Sequence, residues 1–283
     1  NIKLNPTLLG KETLIKILES SGFETRVPDI AFEHDPVFAD VVNIITELRK
    51  TAAIHDLHFG IKLTNTLESI NHKNVFSPEE KMMYLSGRAL HPVSVAIAAK
   101  LQNEFHGELN ISFCGGADAF NFPDLIACGL SPVTVCTDLL KPGGYGRLHQ
   151  YIEELKNAFK EFPALNTEEF IRARSGDRSL ETAQASLINL NKYTAGVLKN
   201  EKYRKTDFTD PDIKTNRPLE WFDCTHAPCV DTCPTHQDIP NYNYYTAKGD
   251  FRKATEVILQ TNPFPRVTGK ICDHLCQFKC TRI

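Results

Sequence analysis

The sequence has no apolar run near the roughly 18–20 residues that a helix needs to cross a bilayer. It lacks a basic-then-apolar leader closed by small residues, so nothing in it reads as a secretory signal. An excess of one charge is missing too: 32 Lys and Arg stand against 35 Asp and Glu, a net charge of −3. That balance gives no electrostatic reason to expect a nucleic acid or an anionic membrane as partner. A disulfide framework is also absent. Such chains are small and secreted, with an even cysteine count spread along their length. The nine cysteines here are odd in number and unevenly placed. Together these absences predict a protein of a reducing, cytoplasmic compartment. What remains is an ordinary globular composition, 41% hydrophobic and 24% charged over 283 residues, with room for about two domains.

Six of the nine cysteines fall in the last quarter, in two runs of three. The first reads Cys224-Thr-His-Ala-Pro-Cys229-Val-Asp-Thr-Cys233-Pro234, and the second Cys272-Asp-His-Leu-Cys276-Gln-Phe-Lys-Cys280. Gaps of four, three, three and three residues let neighbouring thiolates converge on one small object, and Cys-Pro closing a run is an iron–sulfur habit. Zinc is the alternative. Structural zinc prefers Cys-x2-Cys pairs with four ligands closing each site, which triplets fit less well. Between the runs, Ile239-Pro240, Gly249-Asp250-Phe251 and Asn262-Pro263-Phe264-Pro265 mark short helices with proline corners, and Arg266 and Lys270 are candidates for moderating cluster charge. Cys114, Cys128 and Cys136 read as small buried hydrophobes, and His55, His58 and His72 show no ligand spacing.

The first 160 residues alternate strand and helix patterns. Strands are expected at Ile2–Leu4, Phe59–Leu63, Leu109–Phe113 and Pro132–Cys136, and helices at 11–20, 36–53, from Pro92, and from Arg147 to Phe159. Ser77-Pro78-Glu79-Glu80 has the composition of a further helix start. Residues 27–36 read as irregular. Such alternation predicts a parallel sheet. Asn65-Thr66, Ser86-Gly87, Gly115-Gly116 and Thr137-Asp138 all lie at or just beyond strand C-terminal ends. In an α/β barrel that rim is the active face, and its glycines let backbone N–H groups approach a phosphate. Residues 161–221 turn polar and helical, from the helix start at Asn166 through 180–198 to a charged stretch containing Pro211 and Pro218.

This first segment resembles the second half of the flavin-mononucleotide barrel of dihydroorotate and dihydropyrimidine dehydrogenases. By that resemblance Lys3 would face the flavin pyrimidine edge, with Asn65 and Thr66 at the next strand end, Ser86 and Gly87 in a following turn, and Gly115, Gly116, Cys136 and Thr137 about the phosphate. A cation at that edge stabilises the charge of reduced flavin. The family's first four strands and its acid/base loop have no counterpart, so no catalytic residue is assigned.

The last segment resembles the iron–sulfur domain shared by the glutamate synthase small subunit and dihydropyrimidine dehydrogenase. That resemblance implies two [4Fe–4S] clusters, with Cys224, Cys229 and Cys280 on one and Cys233, Cys272 and Cys276 on the other. Two cubanes take eight ligands. The family's additional cysteine, three residues before Cys224, is Trp221 here, so one cluster lacks an evident fourth ligand unless His226 or Asp223 substitutes, and the other is expected to be incomplete, its last ligand lying beyond Ile283.

The order of barrel before clusters is similar to that of the selenate reductase subunit family, whose members continue into FAD- and NADPH-binding domains. The expected architecture is therefore α/β plus all-α. It comprises a partial FMN-type TIM barrel over 1–160, a helical connector over 161–221 and a truncated [4Fe–4S] domain over 222–283. Asn1 opens without an initiator Met and Ile283 closely follows the last cysteine, so a piece of a longer polypeptide is expected, inactive alone. The resemblance implies electrons passing from NAD(P)H through FAD and the clusters to a barrel-bound flavin and a small-molecule substrate, with the downstream flavin/NADPH domains and redox subunits as partners. Two rivals are a reductase of a pyrimidine- or purine-type heterocycle and a non-catalytic barrel that scaffolds an electron-transfer module.

Overall fold

The computed structural model describes residues 1–73, 76–140, 144–205, 217 and 227–280. Two compact units emerge. The larger takes the described residues up to Lys205 apart from 76–79, Leu140 and Gly144, and the smaller takes those short pieces together with Arg217 and 227–280.

In the larger unit, strand β1 (Ile2–Leu4) leads through a 3-10 turn at Pro6–Leu9 into helix α1 (Lys11–Ser20). Leu14, Ile17 and Leu18 recur at helical spacing and are buried. Gly22, at φ +80°, ends the helix: its N–H donates to the Glu19 carbonyl while the Phe23 N–H reaches back to that of Leu18. Only glycine adopts this left-handed closure without strain. Residues 27–36, read as irregular, contain a short helix α2 (Ile30–His34). Helix α3 (Phe38–Ile54) follows, burying Val41 and Ile45 while Val37 and Ile44 stay exposed. Strand β2 (Ile61–Leu63) comes next.

The helix expected from Ser77 does not form. Instead β3 (Leu67–Ile70) pairs antiparallel with β4 (Met82–Leu85). The Ser77 hydroxyl accepts the Glu79 N–H at 3.4 Å, a bond two residues on that closes a turn and caps no helix. Asn71 holds the neck of the hairpin, its Nδ2 donating to the Glu80 carbonyl at 2.8 Å and its N–H to that of Lys81.

Helix α4 (His91–Glu104), with Pro92 in its first turn as the sequence suggested, is the most deeply buried helix of the unit, and β5 (Ile111–Phe113) and α5 (Phe122–Ala127) follow. The sheet runs β1-β2-β5, all parallel, and Phe113 forms a further parallel bridge to Val133. Parallel pairing is thus as expected, with β1 at its expected bounds, Phe59–Leu63 and Leu109–Phe113 each reduced to their last three residues, and the strand expected over Pro132–Cys136 reduced to that bridge. Among the described residues the sheet is an open arc. Leu4, Leu63 and Phe113 bury one face against Leu18, Val93, Ile97 and Leu101. Lys3, Lys62 and Ser112, directly opposite one another across the ladder, occupy the other face.

Helices α6 (Leu148–Glu161), α7 (Thr167–Ser175) and α8 (Thr182–Val197) complete the unit, with α8 packed on α4, α5 and α7. Asn166 caps α7, its Oδ1 accepting the Glu169 N–H at 2.9 Å, while Glu169 accepts the Leu165 N–H.

Among its described residues the smaller unit is all helical: α9 (Pro228–Thr232), α10 (Ile239–Ala247), α11 (Phe251–Leu259) and α12 (Pro265–Thr268). Asp238 and Asp250 cap α10 and α11, which pack on each other. Among the described residues no helix is long and apolar enough to cross a membrane.

Candidate functional site

The glycine rim of the larger unit forms where three loops meet. Gly87 sits at φ +64° so close to Thr137 that a Cβ on it would stand 2.9 Å from the threonine methyl. Gly116, at φ +68°, lies against Gly87, where a Cβ would meet the Gly87 carbonyl oxygen at 2.4 Å. Gly115 packs as tightly on Ser94, itself joined to the Thr64 hydroxyl at 2.9 Å. The loops therefore approach this closely only because Gly87, Gly115 and Gly116 lack side chains.

The underside of this rim is polar and sealed. His91 is fully buried, with Nδ1 2.6 Å from the Gly115 carbonyl and Nε2 2.8 Å from the Tyr193 hydroxyl. Its ring stacks on Tyr203 at 4.8 Å and meets Phe113 edge-on. Burial, partly opposed by the Gly115 carbonyl, pushes the His91 pKa down to about 4, so the ring is neutral near pH 7. Asn121 Nδ2 donates to the Gly116 carbonyl at 3.0 Å and to the Tyr203 hydroxyl at 3.2 Å. Lys202 pairs with Asp118 at 2.7 Å, and Asp118 accepts the Phe120 and Asn121 N–H groups. Beside Thr137, buried Asp138 receives Arg147 at 3.1 Å and the Tyr151 hydroxyl at 2.8 Å. Burial first, then Asp138, drives the Tyr151 pKa upward. Both carbonyls of the glycine pair thus point into the protein. The N–H groups of Gly116 and Ala117 donate to no group among the described residues.

The remaining expected residues are dispersed. Asn65 and Thr66 line a cavity of about 370 Å3 with Asn5, Asp35 and Tyr84. Asn65 Nδ2 donates to Asn5 Oδ1, and Asn5 in turn donates to Asp35 at 2.8 Å. Ser86 is exposed beside Gly87. Lys3 is exposed on β1 with Lys62 opposite it, and neither has a carboxylate partner among the described residues. Two like charges side by side repel, so the pair favours an anion. Cys136, expected both at the flavin and as a buried hydrophobe, is exposed, just past Val133 and Val135, which still pack on the core. Cys114 is half-buried and Cys128 is buried, its thiol pKa pushed up by burial and by Asp124.

Sequence reasoning missed His91, Asn121, Tyr193 and Tyr203. The one local signal was a histidine directly before Pro92 at the start of an otherwise apolar helix. A cavity of about 660 Å3 opens beside α5, α7 and α8. Its cations are all engaged: Arg174 with Asp124, Lys192 with the Ser175 carbonyl, and Lys202 with Asp118.

In the smaller unit, Cys233, Cys272 and Cys276 line one cavity of about 490 Å3 with Tyr242. Burial pushes the Tyr242 pKa up to about 12, reinforced by the charge of Cys276, Cys229, Cys233 and Cys272. Cys280 ends the 3-10 turn Gln277–Lys279, which packs on the helix that carries Cys229. Burial would raise the Cys233 pKa, but the Thr235 hydroxyl and the N–H groups of Gln237, Thr235 and His236 outweigh it and hold the thiol low. His274 donates its N–H to the Cys272 sulfur at 3.3 Å. Gln237 clasps this loop to the end of α11 through Thr261 at 2.7 Å. Cys224, with Trp221, Asp223 and His226, lies outside the described residues. Arg266 and Lys270 are exposed.

Among the described residues no three His, Cys, Asp or Glu side chains close on a single ion. Cluster ligands sit at the outer corners of a cube, further apart than donors about one ion. Thiolates around a common cavity, with N–H groups aimed at their sulfurs, fit such a group.

Fold and cysteine site together define an oxidoreductase whose α/β part precedes a [4Fe–4S] domain. Residues 1–205 match the family described as "Oxidoreductase YgfK, N-terminal TIM-barrel domain", and the chain belongs to it. Residues 200–283 match dihydropyrimidine dehydrogenase domain II, a 4Fe-4S cluster domain. Escherichia coli (strain K12) YgfK is 38% identical over the whole chain, which covers 25% of that relative. The NADPH-Fe(3+) oxidoreductase subunit beta of Geobacter sulfurreducens (strain ATCC 51573 / DSM 12127 / PCA) is 33% identical over 92 residues, 31% of this chain and 14% of that one. The glutamate synthase [NADPH] small chain of E. coli (strain K12) is 38% identical over 60 residues, 20% of this chain and 13% of the relative. The chain spans about a quarter of the length of the YgfK relatives it matches. No solved structure matches.

Proposed function

We propose that this chain is the flavin- and cluster-bearing part of an iron–sulfur flavoprotein oxidoreductase of the selenate reductase type. The reading rests above all on Cys233, Cys272 and Cys276 lining one cavity in a chain of this family. Cys233, Cys272 and Cys276, which share a cavity, would hold one [4Fe–4S] cluster, and Cys229 and Cys280, with Cys224, the other. When bound, these groups supply one-electron transfer. The protein supplies the cysteine sulfurs, with the Cys233 thiol pKa lowered by the Thr235 hydroxyl and nearby N–H donors, and a tyrosine that keeps its proton at neutral pH. An FMN phosphate would sit over the N–H groups of Gly116 and Ala117, at the rim where the loops of Gly87 and Thr137 meet, since adjacent outward N–H groups favour an anion. Lys3 and Lys62 supply positive charge that stabilises a reduced, anionic ring. Asn65 and Thr66 add polar contacts in the neighbouring loop. NADPH as the electron source, entering through an FAD domain of the same polypeptide, is supported by the NADPH in the names of the Geobacter and glutamate synthase relatives. A small-molecule substrate is reduced at the α/β unit.

The test is anaerobic purification of the intact protein followed by iron, sulfide, zinc and flavin analysis. About eight iron and eight sulfide atoms per chain in this segment, together with FMN, is the expected outcome. A colourless, zinc-containing protein sinks the cluster assignment. Iron and sulfide without FMN leave a scaffold for electron transfer in place of a flavin site. Flavin reoxidation by pyrimidines or purines alone selects the heterocycle reductase.

A further inference from the structure

We propose that His91 is a positioning residue that aims the Gly116 and Ala117 N–H groups outward, and so sets the affinity of the glycine rim for a phosphate group. This deepens the proposed FMN site and rests on that reading. The proton positions follow from the donors available. The Gly115 carbonyl can only accept, so His91 Nδ1 carries the hydrogen across the 2.6 Å contact. Nε2 then offers its lone pair and receives the Tyr193 O–H at 2.8 Å. Tyr203, 3.5 Å away, donates to the Tyr193 oxygen and in turn accepts from Asn121 Nδ2 at 3.2 Å. The second Asn121 hydrogen goes to the Gly116 carbonyl at 3.0 Å. One chain of bonds thus grips two consecutive carbonyls.

A trans peptide points its N–H opposite its C=O. Pinning the Gly115 carbonyl to His91 turns the Gly116 N–H away from the core, and pinning the Gly116 carbonyl to Asn121 does the same for Ala117. Two adjacent N–H groups aimed the same way form an anion-binding concavity. Gly116 has the left-handed φ of +68° that such an arrangement needs. Those two donors lack a partner among the described residues, although Ala117 is only 4% exposed. A buried N–H without a partner is uncommon, which is what a ligand site leaves behind. Stacking on Tyr203 and edge contact with Phe113 fix the ring, so its two nitrogens keep their assignments.

The experiment compares FMN, riboflavin and inorganic phosphate binding to the intact flavin-depleted protein and to His91→Phe, His91→Asn and Tyr193→Phe. FMN and riboflavin differ by the phosphate alone, so their ratio isolates the rim from general damage. His91→Phe keeps the stack but loses both bonds. It is expected to weaken FMN and phosphate about 10- to 100-fold and leave riboflavin unchanged. His91→Asn can still donate to the Gly115 carbonyl and should recover most of the loss. Tyr193→Phe should cost less, about 2- to 5-fold. Equal losses for FMN and riboflavin, or none, overturn the role of His91. If His91→Phe does not fold, the Asn and Tyr193 variants carry the same comparison. Binding of phosphate but not FMN to the unaltered protein refutes the flavin reading while the phosphate arm still tests His91. Binding of neither overturns both, and is visible before any variant is made.

Discussion

At the scale of single residues, the rim depends on the absence of side chains. Gly116→Ala meets two obstacles at once, a left-handed φ and the Gly87 carbonyl 2.4 Å from the new Cβ. Gly176→Ala, at φ +92° with nothing within 4 Å, meets only the first. We expect about 3 kcal/mol of destabilisation for the former and about 1 kcal/mol for the latter, read from thermal melting midpoints. Equal values would show that the rim loops yield. His91 carries a pH dependence of its own. Its folded pKa of about 4 lies below the usual 6.5, so between these values the unfolded chain binds the extra proton. Stability is therefore full above about pH 6.5 and is lost as the pH falls toward 4. The loss by pH 5 is about 2 kcal/mol, seen as a roughly 30-fold rise in opening of α4 and α8 amides by hydrogen exchange. His91→Asn should not show this rise. Lys62, invisible to the sequence reading, shares its face with Lys3. Replacing either with Met should lower the flavin midpoint potential, measured by anaerobic dye titration, and an unchanged potential places both away from the ring.

At the scale of elements, local signals predicted helices better than they predicted pairing. The end of α1 at Gly22 and the start of α7 at Asn166 follow from chemistry within four residues. Asn166→Ala should cost about 1 kcal/mol, measured by denaturant unfolding that follows α7. The β3–β4 hairpin escaped notice because its registry, Leu67 opposite Leu85, is set by partners far apart in sequence. Ser77-Pro78-Glu79-Glu80 has the residues of a helix start, but the short apolar run behind it, Met82–Leu85, pairs with Leu67–Ile70 and ends at Gly87 before a helix can be built. In the smaller unit α10 presents Tyr242 to the thiols. Tyr242 lines the cavity of Cys233, Cys272 and Cys276, so its hydroxyl is a donor available to the cluster sulfurs. Tyr242→Phe should therefore lower a cluster potential by tens of millivolts in a redox titration monitored by electron paramagnetic resonance. No shift would assign Tyr242 to packing alone.

For the whole molecule, six cysteines in two triplets pointed to iron–sulfur chemistry without any coordinates, because thiolates at gaps of three and four residues have few other uses. The alternation of strand and helix predicted the parallel sheet for a similar reason, since a parallel return needs a crossover. Position along the strands even placed the glycines at one rim. Their mutual contact was another matter. Gly87, Gly116 and Thr137 come from loops dozens of residues apart, and His91 meets Tyr193 across 102 residues. Side-chain type and spacing determined which chemistry is available here, because those are local properties of the chain. Only folding decided which carbonyls are held, which N–H groups are left over and which lysines stand side by side, because these depend on distances between segments that no local pattern encodes.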